Sequence, residues 1–350
     1  MYPDQISFKM VKLHLINSFQ MFYSSIKNLC LLYFFITILG FSSVSFSAEK
    51  PSIKVSVLKF GTVNWTLETI KRNGLDKQNG FELVIQPLAS IQASNIALQA
   101  NATDIIVSDW SWVARQRGGV SNYSFAPYSS ATGAVIVPEH SSIRSIQDLA
   151  GKRLGIAGGG LDKSWLLLRA LALKEGMDLD KDVDKVFGAP PLLNNLVLRG
   201  KIDALINFWH YNAHLKSIGY RELITTHNII HRLGIKRTVP ILGYVFSEAW
   251  GKKNATTLNK FLVASRQASE LLCQSDDQWA AVLPLTRSKD SATQILLRKS
   301  YCEGRITNFT AADRDAISRI YSILAETGGK KLVGSTKQLD TNLFWNDGFE

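Results

Sequence analysis

The segment from residue 145 to residue 165 constrains the fold of this chain more than any other part. It indicates a short helix, a tight turn at Gly151, a buried strand from Arg153 to Ala157, and a glycine loop, Gly158 to Gly160, that opens a helix. Three consecutive glycines let a backbone approach a ligand closely, and the start of a helix offers unpaired N–H groups. The segment therefore predicts a strand–loop–helix unit whose loop binds a ligand, with a plain connecting turn as the alternative.

The glycine loop does not fit the known nucleotide-binding motifs. A phosphate-binding loop that ends at Lys163-Ser164 needs glycines where this chain has Ala157 and Asp162. A dinucleotide motif that starts at Gly158 needs glycine or alanine at the position of Lys163. The carboxylate of Asp162 would also repel a pyrophosphate. A nucleotide ligand is therefore excluded.

The beginning of the chain is typical of a secretory signal. Lys27 precedes an apolar run from Leu29 to Phe41, and small residues follow up to a cleavage site near Ala48. The run is shorter than the ~20 residues that a membrane-spanning helix needs. We expect residues 1–47 to be a cleaved signal peptide and the mature protein to be exported, with an uncleaved anchor as the alternative.

Charge and cysteine content agree with export. The formal net charge is +11, but the basic residues are scattered in short clusters, which favours a solvated surface over a nucleic-acid interface. Of the three cysteines, Cys30 lies in the predicted leader. The other two, Cys273 and Cys302, are expected to form one disulfide, with two separate buried thiols as the alternative.

Predicted strands and helices alternate from Ile53 onward, which favours mostly parallel sheets with helices on both faces. In such sheets, ligands bind beyond the carboxyl ends of the strands. After Phe246 the pattern becomes mostly helical. We expect these helices to return to the first lobe, so that residues 129–134 and 237–242 are two crossings of one hinge.

Two segments of the chain match each other. Asp104 begins a short strand that ends in a polar loop with Trp110, and Asp203 begins another that ends with Trp209. Each tryptophan follows its aspartate by six residues. Two similar lobes with an aromatic ring at a strand end predict a cleft between the lobes. Core packing is the alternative for each tryptophan taken singly.

Motifs for catalysis are missing from the sequence. Asp178 to Asp184 alternate like a calcium loop, but Val183 stands where that loop needs glycine. His210 and His214 lack the acidic partner of a zinc helix, and no serine lies in a Gly-x-Ser-x-Gly motif. We therefore expect a protein that is not an enzyme and that has no cofactor and no metal site.

The segment from Ser145 with its glycine loop, the segment from Leu198 to Trp209 and the leader resemble the periplasmic solute-binding proteins of ABC importers, of the nitrate, sulfonate and taurine type. This group shares a domain with the thiamine-pyrimidine synthases, but that branch would need a cysteine-rich motif. The resemblance implies a periplasmic, monomeric protein whose partners are an ABC permease and ATPase. It implies an α/β, type II-like, two-lobed clamp with a helical C-terminal extension. The expected ranges are lobe 1 at 51–131 and 241–350, and lobe 2 at 132–240.

The resemblance places five loops around the ligand, and polar and aromatic side chains converge in them. The expected ligand-binding residues are Asn64, Trp65, Ser108, Asp109, Trp110, Thr132, Gly159, Gly160, Asp162, Lys163, Ser164, Asn207, Trp209 and His210. Because carboxylates and indole faces suit cations and flat rings, we expect a small organic solute with a nitrogen-bearing or aromatic part. The alternative function is an exported accessory subunit of a periplasmic enzyme or sensor, without a transport role.

Overall fold

The computed structural model of the chain describes residues 50–119 and 121–345. The predicted signal peptide, and Cys30 with it, lies outside the described residues. Within the described ranges, no helix combines the length and the apolar character that a membrane span requires.

The strands form two five-stranded sheets. The first sheet has the order β2 (Glu82–Leu88), β1 (Ser52–Leu58), β3 (Ile105–Asp109), β10 (Leu242–Ser247), β4 (Tyr123–Ser129). The second has the order β7 (Asp184–Gly188), β6 (Arg153–Ala157), β8 (Ala204–Asn207), β5 (Ala134–Pro138), β9 (Tyr220–Thr225). Each sheet, together with the helices that cover it, is called a lobe below.

Helices surround both sheets and make up most of the chain after β10. They are α1 (Val63–Arg72), α2 (Leu75–Gln78), α3 (Ile91–Gln99), α4 (Trp110–Arg117), α5 (Lys163–Lys174), α6 (Leu179–Asp182), α7 (Pro190–Leu198), α8 (Trp209–Ser217), α9 (Thr226–Arg232), α10 (Glu248–Lys253), α11 (Ala255–Gln274), α12 (Asp276–Thr286), α13 (Ser291–Glu303), α14 (Ala311–Gly328) and α15 (Lys330–Val333). Two single 3₁₀ turns lie at Gln147–Leu149 and Thr341–Leu343. The predicted α/β class with a helical C-terminal part is confirmed.

One strand in each sheet runs against the other four. In the first sheet β10 is antiparallel to both of its neighbours, β3 and β4. In the second sheet β5 is antiparallel to β8 and β9. Each reversed strand is the first strand after the chain passes from one sheet to the other. The chain passes to the second sheet through residues 130–133, before β5, and back to the first through residues 233–241, before β10. These two segments are called the crossings. The first begins beside the end of the second, because the N–H of Ile241 is bonded at 2.9 Å to the carbonyl of Ser129, the last residue of β4.

The repeated motif in the sequence corresponds to a repeated contact. Asp104 Oδ2 accepts a hydrogen bond from the backbone N–H of Lys54 at 2.7 Å, at the start of β1. Asp203 Oδ2 accepts the equivalent bond from the backbone N–H of Arg153 at 2.8 Å, at the start of β6. Each aspartate thus fixes the beginning of its own strand to the beginning of a neighbouring strand, which explains why the residue type recurs at that place in both lobes.

The C-terminal helices contact both lobes, whereas the sequence suggested that they return to the first. Helix α11 packs on α1 of the first lobe, but α13 packs on α8 and α14 packs on α5, both in the second lobe. Apolar residues fill the space between them, because one continuous core joins Phe125 of the first sheet, Ile156 of the second and Ile317 of α14. The lobes are therefore held together by packed helices as well as by the crossings.

A disulfide joins Cys273 at the end of α11 to Cys302 at the end of α13, with Cα atoms 5.7 Å apart. It links the helix that packs on the first lobe to a helix that packs on the second.

Candidate functional site

Two aspartates each begin the helix that follows them, Asp109 at the end of β3 and Asp162 after the glycine loop. Asp109 ends β3, and its Oδ1 accepts hydrogen bonds from the backbone N–H groups two and three residues ahead, at 2.9 and 3.0 Å. Asp162 does the same for α5, at 2.9 and 3.2 Å, which occupies the N–H of Ser164. Both carboxylates therefore act as helix N-caps, a role that stabilises a helix by ~1 kcal/mol.

The same two loops meet across the two lobes. Lys163 Nζ of the second lobe lies 2.8 Å from Asp109 Oδ2 of the first, and both side chains are about four-fifths buried. Burial alone raises the pKa of Asp109, but the charge and the hydrogen bond of Lys163 outweigh it and hold the pKa below its ordinary value. For Asp162, burial raises the pKa above its ordinary value, against the opposing charge of Lys163.

This geometry removes one reason for expecting a cationic ligand. As free carboxylates, Asp109 and Asp162 would attract an amine. In the structure each has an oxygen used by backbone N–H groups, and Asp109 has its own cation. A ligand amine would have to displace Lys163 to reach Asp109.

The glycine loop is shaped by the cap that follows it. Gly158 and Gly159 have φ values of 81° and 82°, a region that favours glycine. A Cβ on Gly158 would lie 2.7 Å from Asp162 Oδ2, so a side chain there would displace the cap. A Cβ on Gly159 would meet no atom within 4 Å, and a Cβ on Gly160 would lie 3.8 Å from Cζ of Phe187. Gly158 is therefore required by the turn, whereas Gly159 and Gly160 leave the backbone of the loop accessible.

Three of the expected ligand contacts lie within the protein interior. Trp110 is fully buried and donates its Nε1–H to the carbonyl of Pro240 at 2.9 Å. Its ring packs against that of Tyr321 of α14. Asn207 is buried, and its amide donates to Asn194 Oδ1 at 2.8 Å. Ser108 is also buried. These side chains hold the strand ends in place, and Trp110, which was expected to present its ring to a ligand, lies in the core of the described structure.

Asn64 holds the loop that follows β1. Its Nδ2 donates to the carbonyl of Leu58 at 2.6 Å and to that of Gly61 at 2.8 Å. The side chain is partly buried, and both amide hydrogens have partners, so it shapes the loop ahead of α1.

Aromatic rings make a second contact between the lobes. Trp65 of α1 meets Trp209 of α8 edge to face, with ring centroids 5.9 Å apart. Trp65 is buried by Trp279 and Tyr301 on its other sides, whereas Trp209 remains half-buried. His210 packs against Trp209, and burial lowers its pKa to about 4. Its Nδ1 has no hydrogen-bond partner among the described residues.

A pocket of about 340 Å³ lies beside Trp209 and is lined by residues of both crossings. We call it the crossing pocket. The crossings contribute Thr132 and Thr238, α8 contributes Trp209 and Asn212, and α13 closes one side. Two of the expected site residues, Thr132 and Trp209, therefore lie on one pocket wall.

Asn212 is the most informative residue of the crossing pocket. It is 2% exposed, and its Nδ2 donates to the carbonyls of Ala134 and Asn207 at 3.3 and 3.1 Å. Its Oδ1 has no donor within the described part of the chain. A buried carbonyl oxygen is nearly always hydrogen-bonded, and Asn212 Oδ1 departs from that rule among the described residues that line the crossing pocket.

Charged groups in the crossing pocket are partly compensated. Lys216 Nζ lies 2.9 Å from Glu222 Oε1, and both residues line the pocket with Glu303 and His227. Sequence reasoning missed Asn212 and Lys216. They follow Trp209 by three and seven residues, the spacing of one helix face, and this periodicity was the available signal.

The described residues hold no group of three or more histidine, cysteine, aspartate or glutamate side chains that could bind a metal ion. The arrangement offers hydrogen-bond donors and acceptors beside an indole ring, within a pocket whose volume suits a small molecule.

Comparisons with known proteins agree with this architecture. The family model described as NMT1/THI5 like matches residues 71–278. The fold is similar to the periplasmic aliphatic sulphonate binding protein SsuA of Escherichia coli, with TM-score 0.66, 15% identity, and 83% of this chain and 96% of that chain covered. It is also similar to the alkanesulfonate-binding protein SsuA of Xanthomonas axonopodis pv. citri bound to MOPS, with TM-score 0.64, 15% identity, and 85% and 99% covered.

A Candida albicans protein with the generic periplasmic binding protein fold is similar at TM-score 0.57 and 15% identity, with 86% and 98% covered. No curated protein sequence matches the chain significantly. At these identities the solved structures show the fold alone, and the periplasmic binding protein fold that the sequence predicted is confirmed.

Proposed function

We propose, from the premise that the chain belongs to the NMT1/THI5-like family, that it is the solute-binding component of an ABC importer. It would capture a small organic solute between its lobes, as a periplasmic monomer without catalytic activity, and deliver it to a permease and ATPase. The first lobe would comprise residues 51–131 and 241–350, and the second lobe would comprise residues 132–240. The observation that carries the proposal is the crossing pocket, because residues of both crossings line a pocket that also holds an unsatisfied carbonyl oxygen.

The position of the crossing pocket suits a protein that closes on its ligand. Domain closure concentrates its backbone changes in the few residues that connect two lobes. A solute that contacts Thr132 and Thr238 would touch both connections at once. Such a solute binds better to one arrangement of the lobes than to another, and this difference is what shifts a conformational equilibrium.

The lining of the crossing pocket favours a polar solute with a hydrogen-bond donor. Asn212 Oδ1 needs an N–H or O–H group, which an inorganic oxyanion such as nitrate does not carry. The ammonium of Lys216 is already paired with Glu222, so the wall offers no free excess of positive charge there. Trp209 adds a ring face. These features support a nitrogen-bearing or hydroxylated organic solute, in line with the expectation from the sequence.

The test uses the mature chain, purified from its own host under native conditions. Native mass spectrometry is expected to show a co-purified small molecule. A thermal-shift screen then compares small organic solutes with inorganic oxyanions, and isothermal titration calorimetry measures the dissociation constant of the best solute. We expect Trp209→Ala and Asn212→Leu to weaken binding by about tenfold or more, which corresponds to about 1.4 kcal/mol.

Trp250→Ala is the matched control, because Trp250 is also half-buried but packs on Phe246 outside the crossing pocket. It should leave the dissociation constant unchanged. Binding of inorganic oxyanions alone, or wild-type affinity in both pocket variants, would refute the proposed site. If the protein carried no small molecule and bound none, the accessory-subunit alternative would replace the transport function.

A further inference from the structure

A second pocket, of about 330 Å³, lies in the first lobe and shares no lining residue with the crossing pocket. We call it the first-lobe pocket. Its walls come from the ends of β4 and β10 that meet near the crossings, from one face of α11, and from residues 305–307, which follow α13. The proposed solute-binding function does not involve it.

The first-lobe pocket contains an unusual cation. The Nε of Arg305 is buried and has no hydrogen-bond partner in the described part of the chain. No described carboxylate lies within ion-pair distance of its guanidinium. A buried donor without a partner destabilises the native state, and more so when it is charged. Arg305 lines the first-lobe pocket, so a ligand in the pocket is a partner that its guanidinium can meet.

The balance of charge in the first-lobe pocket is positive. Two guanidiniums, Arg266 and Arg305, line it with one carboxylate, Glu270. Glu270 is exposed, and its Oε1 accepts a hydrogen bond from Gln274 one turn further along α11, at 2.8 Å. The carboxylate is thus engaged along the helix surface, and an anion that enters the pocket meets more positive than negative charge.

The hydroxyl groups of the first-lobe pocket are neutral and fixed. Tyr244 OH and Ser265 Oγ are 2.7 Å apart, and Tyr128 OH lies 2.7 Å from Thr66 Oγ1. Burial raises the pKa values of Tyr128 and Tyr244, so neither phenol adds negative charge at neutral pH. The tyrosine rings are 5.1 Å apart at the centroids and form a rigid wall.

Apolar groups complete the lining. Pro127, Leu262 and Ile306 lie on the pocket wall with the two tyrosine rings. A free inorganic ion would leave this apolar surface uncovered. A ligand with an anionic head and a short apolar body would use both parts of the lining, because the charge pairs with a guanidinium while the body leaves water.

We propose that the first-lobe pocket is a second binding site, for a small organic acid. The oxyanion head of the ligand lies against Arg305 with Arg266 beside it, and its apolar body lies against Leu262 and Ile306. The site is independent of the solute that the crossing pocket binds, so the protein holds two different ligands at once.

The experiment titrates the mature protein with benzoate, butyrate and phenylphosphonate by isothermal titration calorimetry. Benzyl alcohol serves as the neutral analogue of benzoate, and inorganic phosphate serves as a headgroup without an apolar body. We expect at least one of the three organic acids to bind, and the two control compounds to bind at least tenfold more weakly. Failure of all three acids to bind overturns the proposal, and so does phosphate binding that equals theirs.

Variants locate the binding. Arg305→Gln should weaken the organic acid by at least tenfold and leave the melting temperature close to that of the wild type, because Nε of Arg305 makes no hydrogen bond within the described chain. Ile306→Glu places a carboxylate beside the arginines and should abolish binding, which provides a second route if Arg305→Gln does not fold. Trp209→Ala is the control at the crossing pocket and should leave the organic acid bound as before.

The variants also separate the two proposals. If Trp209→Ala lost the organic acid while Arg305→Gln and Ile306→Glu bound it fully, the organic acid would bind in the crossing pocket. That result would refute the second site. Loss of the co-purified solute in Trp209→Ala, with organic acid binding retained, supports both sites. A protein that binds an organic acid through Arg305 but carries no solute would keep the second site and refute the transport function.

Discussion

The disulfide between Cys273 and Cys302 is the single crosslink in the described part of the chain, and its removal has an effect that can be calculated. The perturbation is the double replacement Cys273→Ser and Cys302→Ser. The bridge closes a loop with a sequence separation of 29. In the chain-entropy model, a loop of that length lowers the entropy of the unfolded chain by about 12 cal/mol/K, which stabilises the native state by about 3.6 kcal/mol at 25 °C.

The expected shift in melting temperature follows from the size of the protein. An entropy of unfolding of ~2.1 cal/mol/K per residue gives about 0.6 kcal/mol/K for roughly 300 residues, so the variant should melt about 6 °C below the wild type. Both side chains are half-buried, and the change from sulfur to hydroxyl should add little to this. Differential scanning calorimetry of the mature protein provides the measurement, with reduced wild-type protein as the matched control.

The location of the disulfide adds a second readout. Helix α11 has contacts with α1 of its own lobe, whereas α13 packs on α8 of the other lobe. The double variant should therefore show faster amide exchange in α13 than in α11, since α13 loses its covalent link to the first lobe. A melting temperature within 1 °C of the wild type, or equal exchange in the two helices, would contradict the reasoning about loop entropy and bracing.

Two further predictions concern groups of the candidate site. Burial lowers the pKa of His210 to about 4 in the native protein. Between pH 6.5 and about 4, His210 therefore carries a proton in the unfolded chain but not in the native protein. The free energy of unfolding should therefore fall as the pH is lowered through that range. Urea unfolding at several pH values is the measurement, and His210→Leu should reduce this pH dependence. The control His214→Leu, on the exposed face of α8, should retain the pH dependence. Lys163→Met leaves the carboxylate of Asp109 without its cation and should cost about 2–3 kcal/mol, since the pair is only partly exposed. The double variant Lys163→Met with Asp109→Asn should recover most of this loss, because asparagine can still cap α4. If the losses of the two single variants simply add up in the double variant, the pair does not interact.

The features of the fold that could be predicted from the sequence are local. The aspartate at the start of β3 and the one at the start of β8 form their bonds within their own lobes, and the same chain pattern recurs around both. Alternation of strands and helices likewise depends on neighbours in sequence. The reversed directions of β5 and β10 were not predicted from the sequence. Each of these strands pairs with a strand that is far away in the chain, β8 for β5 and β3 for β10, and the crossings bring the paired strands together.

Trp110 and Trp209 show where local patterns stop being informative. Both begin a helix after a short buried strand, and both follow an aspartate by six residues. Trp110 lies beneath Tyr321 of α14 and is fully buried, whereas Trp209 faces α13 and the crossing pocket. The difference comes from C-terminal helices that are more than 80 residues away in the chain, so no pattern around either tryptophan contains it. The capping role of Asp109 and Asp162, in contrast, could have been found, because aspartate is a favoured N-cap residue and each of the two directly precedes a helix.

The contacts between the lobes also connect the candidate site to its surroundings. Asp109 and Lys163 are the last residue of β3 and the first of α5, so their ion pair joins a strand end of one lobe to a helix start of the other. Trp65 and Trp209 join the same two lobes next to the crossing pocket. Both contacts require the two lobes to lie close together, as they do in the described structure. Under the proposed function, these two contacts would supply part of the free energy of closure, and the solute would supply the rest through its bonds to the crossing pocket.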